Sequence, residues 1–351
     1  MPIHGFERRL CSFYKPFKGL KSPYMKICIS KDQYVNRLFS SFERNIALGD
    51  TYNAILEKGI LDKEDISRLG LFPLKEKEYL NNPYFLNVHL KECEMGDWKL
   101  FYSSYAPYEP FVYDELSIAK SDYSEKTRFG YFEEKFPFLA VEEKGKTWMS
   151  VTPHEINTMK EAVKESHGHV ISFGLGLGYY AYMALLNPSV EDVTIIERSP
   201  SAISLFKTNI LPFFPKEKKL TIIEEDAFHF LSKMKDGAYD YSFVDLWHLP
   251  EDGLPLYLRF KAQEKKFKKT SFSYWVETSL LSLLRRALII LLQEEFSGSD
   301  DDDYDFAASE SDILINKLHF LLRKRVLSSD DDLENLLSDD SLRSIAEELR
   351  Y

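Results

Sequence analysis

Glycines and a carboxylate in the middle of the chain have the residue types and spacing to bind a nucleoside. Gly174, Gly176 and Gly178 follow directly after a short apolar run, and an apolar helical pattern comes next. Glycine carries no Cβ, so a strand that turns through glycines into a helix lets a ligand approach its bare backbone. Glu197 ends the next apolar run, where a carboxylate accepts hydrogen bonds from ribose hydroxyls. These residues predict a nucleotide-type pocket.

Parallel strands are the elements that must position these groups. The sequence contains four short apolar runs, at 170–173, 193–196, 220–223 and 241–244. Asp226 and Ala227 follow the third run, and Asp245 follows the fourth. In an open parallel sheet, ligands bind outside the carboxyl ends of the strands, so we expect all four ends to face one crevice. The predicted fold class is α/β, with a Rossmann-like doubly wound sheet.

Two cofactor classes use such a crevice. Gly176, Gly178 and Ala181 formally satisfy the dinucleotide fingerprint Gly-x-Gly-x-x-Ala, which would make the protein a nicotinamide enzyme. In that fingerprint the first glycine closes the strand, and the glycine that does so here is Gly174. The alternative is S-adenosylmethionine (SAM), which is favoured because the glycine run, the ribose acid and the later Asp-Ala pair resemble the order of motifs in SAM-binding proteins. An α/β module with no ligand in its crevice remains a third interpretation.

The chain resembles class I SAM-dependent methyltransferases in three features: the Gly-x-Gly-x-Gly run, the acid at Glu197 and the pair Asp226-Ala227. This resemblance implies SAM as the cofactor. The residues that it implies for cofactor binding are Phe173, Gly174, Leu175, Gly176, Gly178, Glu197, Arg198, Asp226, Ala227 and Asp245. Ser172 departs from the pattern, because many methyltransferases carry an acid there.

Within that superfamily the sequence resembles the spermidine synthase branch, over about residues 125–260. A β region, then His154-Glu155 before a helix, then the glycine strand follow one another in the same order. Leu177 stands where that family has an aspartate beside the aminopropyl amine, and Pro153 and His248 replace a tyrosine and a second loop aspartate. A cationic amine needs carboxylates around it, so these departures favour a spermidine-synthase-like methyltransferase. Aminopropyl transfer to a polyamine is the alternative.

Asp245 and His248 are the candidate catalytic residues. Methyl transfer to an amine or hydroxyl requires a group that takes up the acceptor's proton, and Asp245 is the best placed at the sheet edge, with His248 at the pocket rim. Asp245 is equally well explained as the cap of the following turn. Thr152 and Glu155 match a capping box, which explains Glu155 without any catalytic role.

Composition limits the class of protein. The chain has 351 residues and a formal net charge of −11, which argues against general nucleic-acid binding because phosphate contacts need a basic face. Three scattered cysteines suit a reducing cytoplasm. His167 and His169 lack a third ligand, so no metal is expected. The apolar stretch 280–292 is too short for a bilayer, and the N-terminus lacks the apolar core of a signal peptide. We expect a cytoplasmic protein with a small-molecule substrate and no membrane partner, and a homodimer stays open.

The pattern of apolar, β-forming and charged residues divides the chain into four regions. Residues 1–81 read as helical, 82–151 as an antiparallel β region, 152–297 as the SAM-binding domain, and 298–351 as an acidic linker followed by helices. The β region has the place in the order of elements to lie over the carboxyl edge of the sheet. No sequence signal predicts the terminal strand hairpin that usually completes this fold.

Overall fold

The computed structural model describes residues 26–29, 33–57, 59–297, 310–323 and 325–349. The acidic linker expected from residue 298 onwards therefore lies largely outside the described residues. The first described elements are β1 (Lys26–Ile27), α1 (Gln33–Glu57), α2 (Lys63–Leu69), β2 (Phe72–Leu74), α3 (Glu76–Leu80) and α4 (Pro83–Asn87). Helix α1 is continuous from Gln33 to Glu57. Asp62 caps α2, since its side chain accepts the N–H of Asp65.

Helix α4 corrects the expectation of a strand just after residue 82. The side chain of Asn82 accepts the N–H of Tyr84 at 2.9 Å, and Pro83 occupies the first helical position. An asparagine cap followed by proline favours a helix start, and this local signal overrides the aromatic, β-forming residues behind it.

Six further strands form the region between α4 and the central sheet. They are β3 (Cys93–Met95), β4 (Trp98–Tyr105), β5 (Phe111–Ile118), β6 (Glu125–Phe132), β7 (Phe136–Glu143) and β8 (Lys146–Ser150). One sheet is antiparallel, in the order β3-β4-β7-β8. The other has the order β2-β6-β5, and in it β2 runs parallel to β6. Most of these strand pairs are therefore antiparallel, as the sequence predicted, and the parallel pair of β2 with β6 is the exception.

The central sheet confirms the predicted Rossmann-like α/β fold. Its strands are β9 (Gly168–Phe173), β10 (Val190–Glu197), β11 (Lys219–Glu224), β12 (Tyr241–Val244) and β13 (Ser271–Tyr274). All four pairings are parallel, and the order is β11-β10-β9-β12-β13. The order reverses at β9, which places the switch point of the sheet at the glycine run.

Helices connect these strands and cover the sheet. They are α5 (Pro153–Glu165), α6 (Tyr179–Leu186), α7 (Pro200–Asn209), α8 (Ala227–Lys233) and α9 (Pro250–Glu264), with a 3₁₀ turn at Leu211–Phe213. Strand residues such as Val170, Val193 and Phe243 are at most 1% exposed, because helices or the β region pack on the sheet.

After β13 the described residues are mainly helical. The elements are α10 (Glu277–Ser297), α11 (Glu310–Leu322), β14 (Val326–Leu327), α12 (Asp330–Leu337) and α13 (Asp339–Glu348). Helix α11 ends at Leu322, and Val326 and Leu327 pair in parallel with β1. Ser329 and Ser338 cap α12 and α13.

Helix α10 is buried along most of its length and carries two arginines inside the protein. Arg286 pairs with Glu125, and its Nε lies 3.0 Å from that carboxylate. Arg285 pairs with Asp339 and donates to the carbonyl of Leu337 at 2.8 Å. Paired charges at these sites let an otherwise apolar helix cross the interior. Among the described residues, no helix has both the length and the apolar character needed to cross a membrane.

Candidate functional site

The glycine turn follows β9 and packs against the carboxyl end of β12. Gly174, Gly176 and Gly178 have φ angles of 104°, 49° and 73°, a region that L side chains rarely adopt. A Cβ on Gly174 would overlap the carbonyl oxygen of Asp245. The backbone N–H of Asp245 donates to the carbonyl of Phe173 at 2.9 Å. The bare backbone therefore serves the close packing of two strand ends and also opens the turn toward the crevice.

Helix α4 holds the same turn from the other side. The hydroxyl of Tyr84 donates to the carbonyl of Leu177 at 2.6 Å, and Tyr84 is only 2% exposed. The amide of Asn82 donates to the hydroxyl of Tyr179 at 2.8 Å, at the start of α6. One buried and one partly buried hydrogen bond, from a short helix and its N-cap, thus fix the position of the turn.

Glu197 closes the crevice on the β10 side. Its carboxylate accepts the N–H of Ser199 at 2.7 Å and the N–H of Leu175 at 3.3 Å. These two bonds tie the end of β10 to the glycine turn and hold the carboxylate in one orientation. A carboxylate has about four acceptor sites, so capacity for ligand hydroxyls remains.

A cavity of about 200 Å³ lies beside Gly176 and Glu197. Its walls are residues 197–199, one face of α7, the glycine turn, and the side chains of Trp98, Glu143 and Trp148. The antiparallel sheet therefore does lie over this part of the carboxyl edge. Pockets that enclose a drug-sized ligand measure roughly 300–1,000 Å³, so this cavity accommodates only part of a molecule as large as SAM.

Met149 of β8 covers the glycine turn next to this cavity. Its sulfur accepts the N–H of Leu177 at 3.1 Å and occupies the space in which a Cβ of Gly176 would lie. A ligand that approaches Gly176 must displace this side chain. Methionine is unbranched and adaptable, so the displacement requires rotation about side-chain bonds rather than movement of a strand.

Two carboxyl groups interact electrostatically on the β12 side of the turn. Burial raises the pKa of Asp245 from 3.8 to about 7, and His248 opposes this rise. Burial, followed by the charge of Asp245, raises the pKa of Glu155 well above its usual value. Both side chains are enclosed by protein yet retain some solvent access, as at the floor of a cleft. A carboxyl pair in such a place favours the state in which at least one member keeps its proton.

His248 contacts one of the indoles that line the cavity, and its role at the pocket stays a prediction. Its ring meets the indole of Trp148 edge to face, with centroids 4.1 Å apart. Its Nδ1 lies 3.4 Å from the carboxylate of Asp252, which also accepts the N–H of Leu249 at 2.7 Å. Asp252, rather than Asp245, therefore caps the start of α9.

The other predicted residues lie in different settings. Phe173 is fully buried and packs against Phe260 with ring centroids 5.1 Å apart, so only its backbone borders the crevice. Arg198 is exposed and borders the cavity. Asp226 is exposed and caps α8 by accepting the N–H of His229 at 2.9 Å, while Ala227 is buried. Binding by these residues stays a prediction.

Sequence reasoning missed the place of Glu155. Thr152 precedes α5 but makes no capping hydrogen bond with its side chain, so the expected capping box does not form. The hydroxyl of Thr152 instead bonds to that of Tyr105, whose pKa burial raises. The Glu155 side chain instead lies within electrostatic range of Asp245. The pair His154-Glu155 before a helix was the available signal, and its local explanation was wrong.

No family model matches this sequence, and no curated protein matches it. Among solved structures, a spermidine synthase in complex with the transition-state analogue AdoDATO is similar at 14% identity and a TM-score of 0.30, with 43% of this chain and 58% of that chain covered. Spermidine synthase from Thermotoga maritima is similar at 13% identity and a TM-score of 0.29, with 49% of this chain and 68% of that chain covered. MNMC2 from Aquifex aeolicus is similar at 14% identity and a TM-score of 0.30, with 81% of this chain and 98% of that chain covered. Likeness at this level carries no weight for function, and the fold assignment rests on the strand order.

Proposed function

We propose that the protein is a SAM-dependent methyltransferase that acts on a small-molecule acceptor. The observation that carries the proposal is the arrangement around the switch point of the sheet. There, a glycine turn with bare backbone, the oriented carboxylate of Glu197 and a cavity lie side by side. Ligands of open parallel sheets bind at such a switch point.

The residues at the crevice suit an adenosyl ligand, provided that Met149 turns away. Glu197 would accept hydrogen bonds from the ribose hydroxyls, and Gly176 would allow close approach of the ligand to the backbone. SAM supplies an electrophilic methyl group on sulfur. Asp245, with a pKa of about 7, would take up a proton from the acceptor near neutral pH, where a general base is most effective. Glu155, whose pKa is raised well above the usual value, would stay protonated beside it and donate a hydrogen bond.

Aminopropyl transfer to a polyamine is the second candidate, and one specific observation favours it. The pair Glu155 and Asp245 provides carboxyl groups at the crevice, and a cationic amine would bind to their ionised forms. Leu177, however, is 1% exposed and packs in the core at the position of the family's aspartate. The first candidate therefore remains the preferred one.

Calorimetric titration with SAM, decarboxylated SAM and S-adenosylhomocysteine tests the proposal. We expect SAM to bind more tightly than decarboxylated SAM, and Glu197→Ala to weaken binding at least tenfold because ribose donors lose a buried acceptor. Glu191→Ala, at the opposite end of the same strand, is the matched control and should change nothing. A preference for decarboxylated SAM would support aminopropyl transfer, and absence of binding by all three ligands would reject both enzymes.

The location and assembly of the protein are proposals as well. The scattered cysteines and the acidic composition support a cytoplasmic location without nucleic-acid or membrane partners. Gel filtration with light scattering would show whether a homodimer forms.

A further inference from the structure

Three side chains of the antiparallel sheet form a corner over the cavity. The indoles of Trp98 and Trp148 have ring centroids 5.8 Å apart and meet at 67°, and Glu143 lines the same cavity. We call Trp98, Trp148 and Glu143 the indole corner. Trp98 is 7% exposed, whereas Trp148 is 40% exposed, although indole is the largest apolar side chain. An incompletely covered indole beside a cavity leaves a face available to a ligand.

Sheet register explains how the corner arises. Trp98 pairs directly with Glu143 across β4 and β7, so the two side chains share a face of the sheet. Between β7 and β8 the register shifts, because Val141 pairs with Met149 whereas Glu142 pairs with Thr147. Trp148 is the extra residue of this bulge. Bulges re-aim side chains next to binding sites, and this one brings an indole and the neighbouring thioether over the crevice.

The composition of the corner suits a cation that is poorly hydrated. Aromatic faces attract onium groups through their ring quadrupole, and indole is the strongest of the natural faces. Two carboxylates, Glu143 and Glu197, line the cavity against a single guanidinium, that of Arg198. Arg198 is exposed, so water screens its charge more than a charge inside the cavity. The lining is thus net negative and aromatic.

We propose that the indole corner binds an onium cation beside the glycine turn. The inference rests on the proposed function, because methyl transfer offers two sources of such a cation. One is the sulfonium of SAM, and the other is the methylated ammonium of an amine acceptor or its product. Both have a positive charge spread over methyl and methylene groups, which is the chemistry that indole faces and a nearby carboxylate recognise.

The experiment compares charged ligands with neutral ligands of the same shape. Calorimetry with SAM and S-adenosylhomocysteine reports the sulfonium, and ligand-observed NMR with choline and 3,3-dimethyl-1-butanol reports the ammonium. Trp148→Leu keeps apolar bulk but removes the ring face, and should lower the preference for the charged ligand about two- to thirtyfold. Glu143→Gln should lower it about two- to fivefold. Glu142→Gln, on the opposite face of β7, is the matched control and should leave it unchanged.

The possible results separate this inference from the proposed function. If either charged ligand is preferred and both variants of the corner lower that preference, the corner is an onium site, and the responding ligand names the source. If both adenosyl ligands bind with a ratio that neither variant changes, and choline does not bind, the inference is wrong while SAM binding stands. If neither adenosyl ligand binds, the proposed function fails, and choline binding alone then decides for or against the corner.

Discussion

Replacing Asp245 with asparagine tests whether a buried carboxyl group at the crevice opposes folding at neutral pH. Burial raises its pKa from 3.8 to about 7, so the folded protein holds this proton over a range in which the unfolded chain has released it. The stability that this bound proton contributes is complete below the pKa of Asp245 in the unfolded chain. It is lost as the pH rises through the pKa of Asp245 in the folded protein. Asparagine does not ionise, so the stability of Asp245→Asn should not fall with rising pH in this way.

The size of the effect follows from the two pKa values. One pKa unit corresponds to about 1.4 kcal/mol, so full ionisation of Asp245 in the folded state costs about 4 kcal/mol. Between pH 5 and pH 8 the cost grows by about 2–3 kcal/mol. Residual solvent access makes this an upper value. The free energy of unfolding of Asp245→Asn, relative to that of the native sequence, should therefore rise by about 1–2 kcal/mol between these pH values.

Urea unfolding at pH 5, 6, 7 and 8 measures this difference. Asp226→Asn is the matched control, because Asp226 follows β11 of the same sheet but is exposed, and asparagine caps a helix as well as aspartate does. A difference between Asp245→Asn and the native protein that is constant across the pH range would refute the reasoning. In the catalytic assay of the proposed function, the same variant should lose turnover, since it has no group to take up the acceptor's proton.

Three further variants probe the packing around the crevice and the interior. Gly174→Ala should lower the free energy of unfolding in urea by at least about 2 kcal/mol, because φ is 104° and the new Cβ meets the carbonyl of Asp245; a neutral effect would contradict the described turn. Arg286→Met should lower the free energy of unfolding in the same assay by about 3–5 kcal/mol, because it leaves Glu125 buried without its charged partner. Adding Glu125→Leu should restore much of this loss of stability. Met149→Ala should tighten SAM binding in calorimetry by uncovering Gly176, whereas weaker binding would mean that the thioether belongs to the ligand site.

Four strands of the central sheet could be predicted from the sequence because each contains an apolar run with a glycine or an acid at its carboxyl end. Strand Tyr241–Val244 coincides with such a run, whereas Ser271–Tyr274 alternates serine with aromatic residues and gives no comparable signal. Buried parallel strands give this signal since both faces are covered. The boundaries differed by one to three residues at the other strands, where exposed polar residues extend the ladder.

The site was predictable only in its local parts. Glu197 and the glycine turn are adjacent to the strands that hold them, so position in the sequence sufficed. Met149 and Trp148 reach the crevice through the register of β7 with β8, and a one-residue shift reverses the face of every side chain beyond it. The electrostatic interaction of Glu155 with Asp245 likewise depends on how α5 packs, and no local pattern encodes it.

The pairing of β1 with β14 has a consequence for how the protein is made. Lys26 and Ile27 lie against Val326 and Leu327, and the N–H of Cys28 donates to the carbonyl of Leu327 at 2.8 Å. These partners are about 300 residues apart, so at roughly 5–20 residues per second the first strand waits on the ribosome for about 15–60 seconds. Such a distant contact closes late, after the sheet between its ends has had time to assemble. The contact between β1 and β14 therefore forms only after all the residues between the two strands have been synthesised.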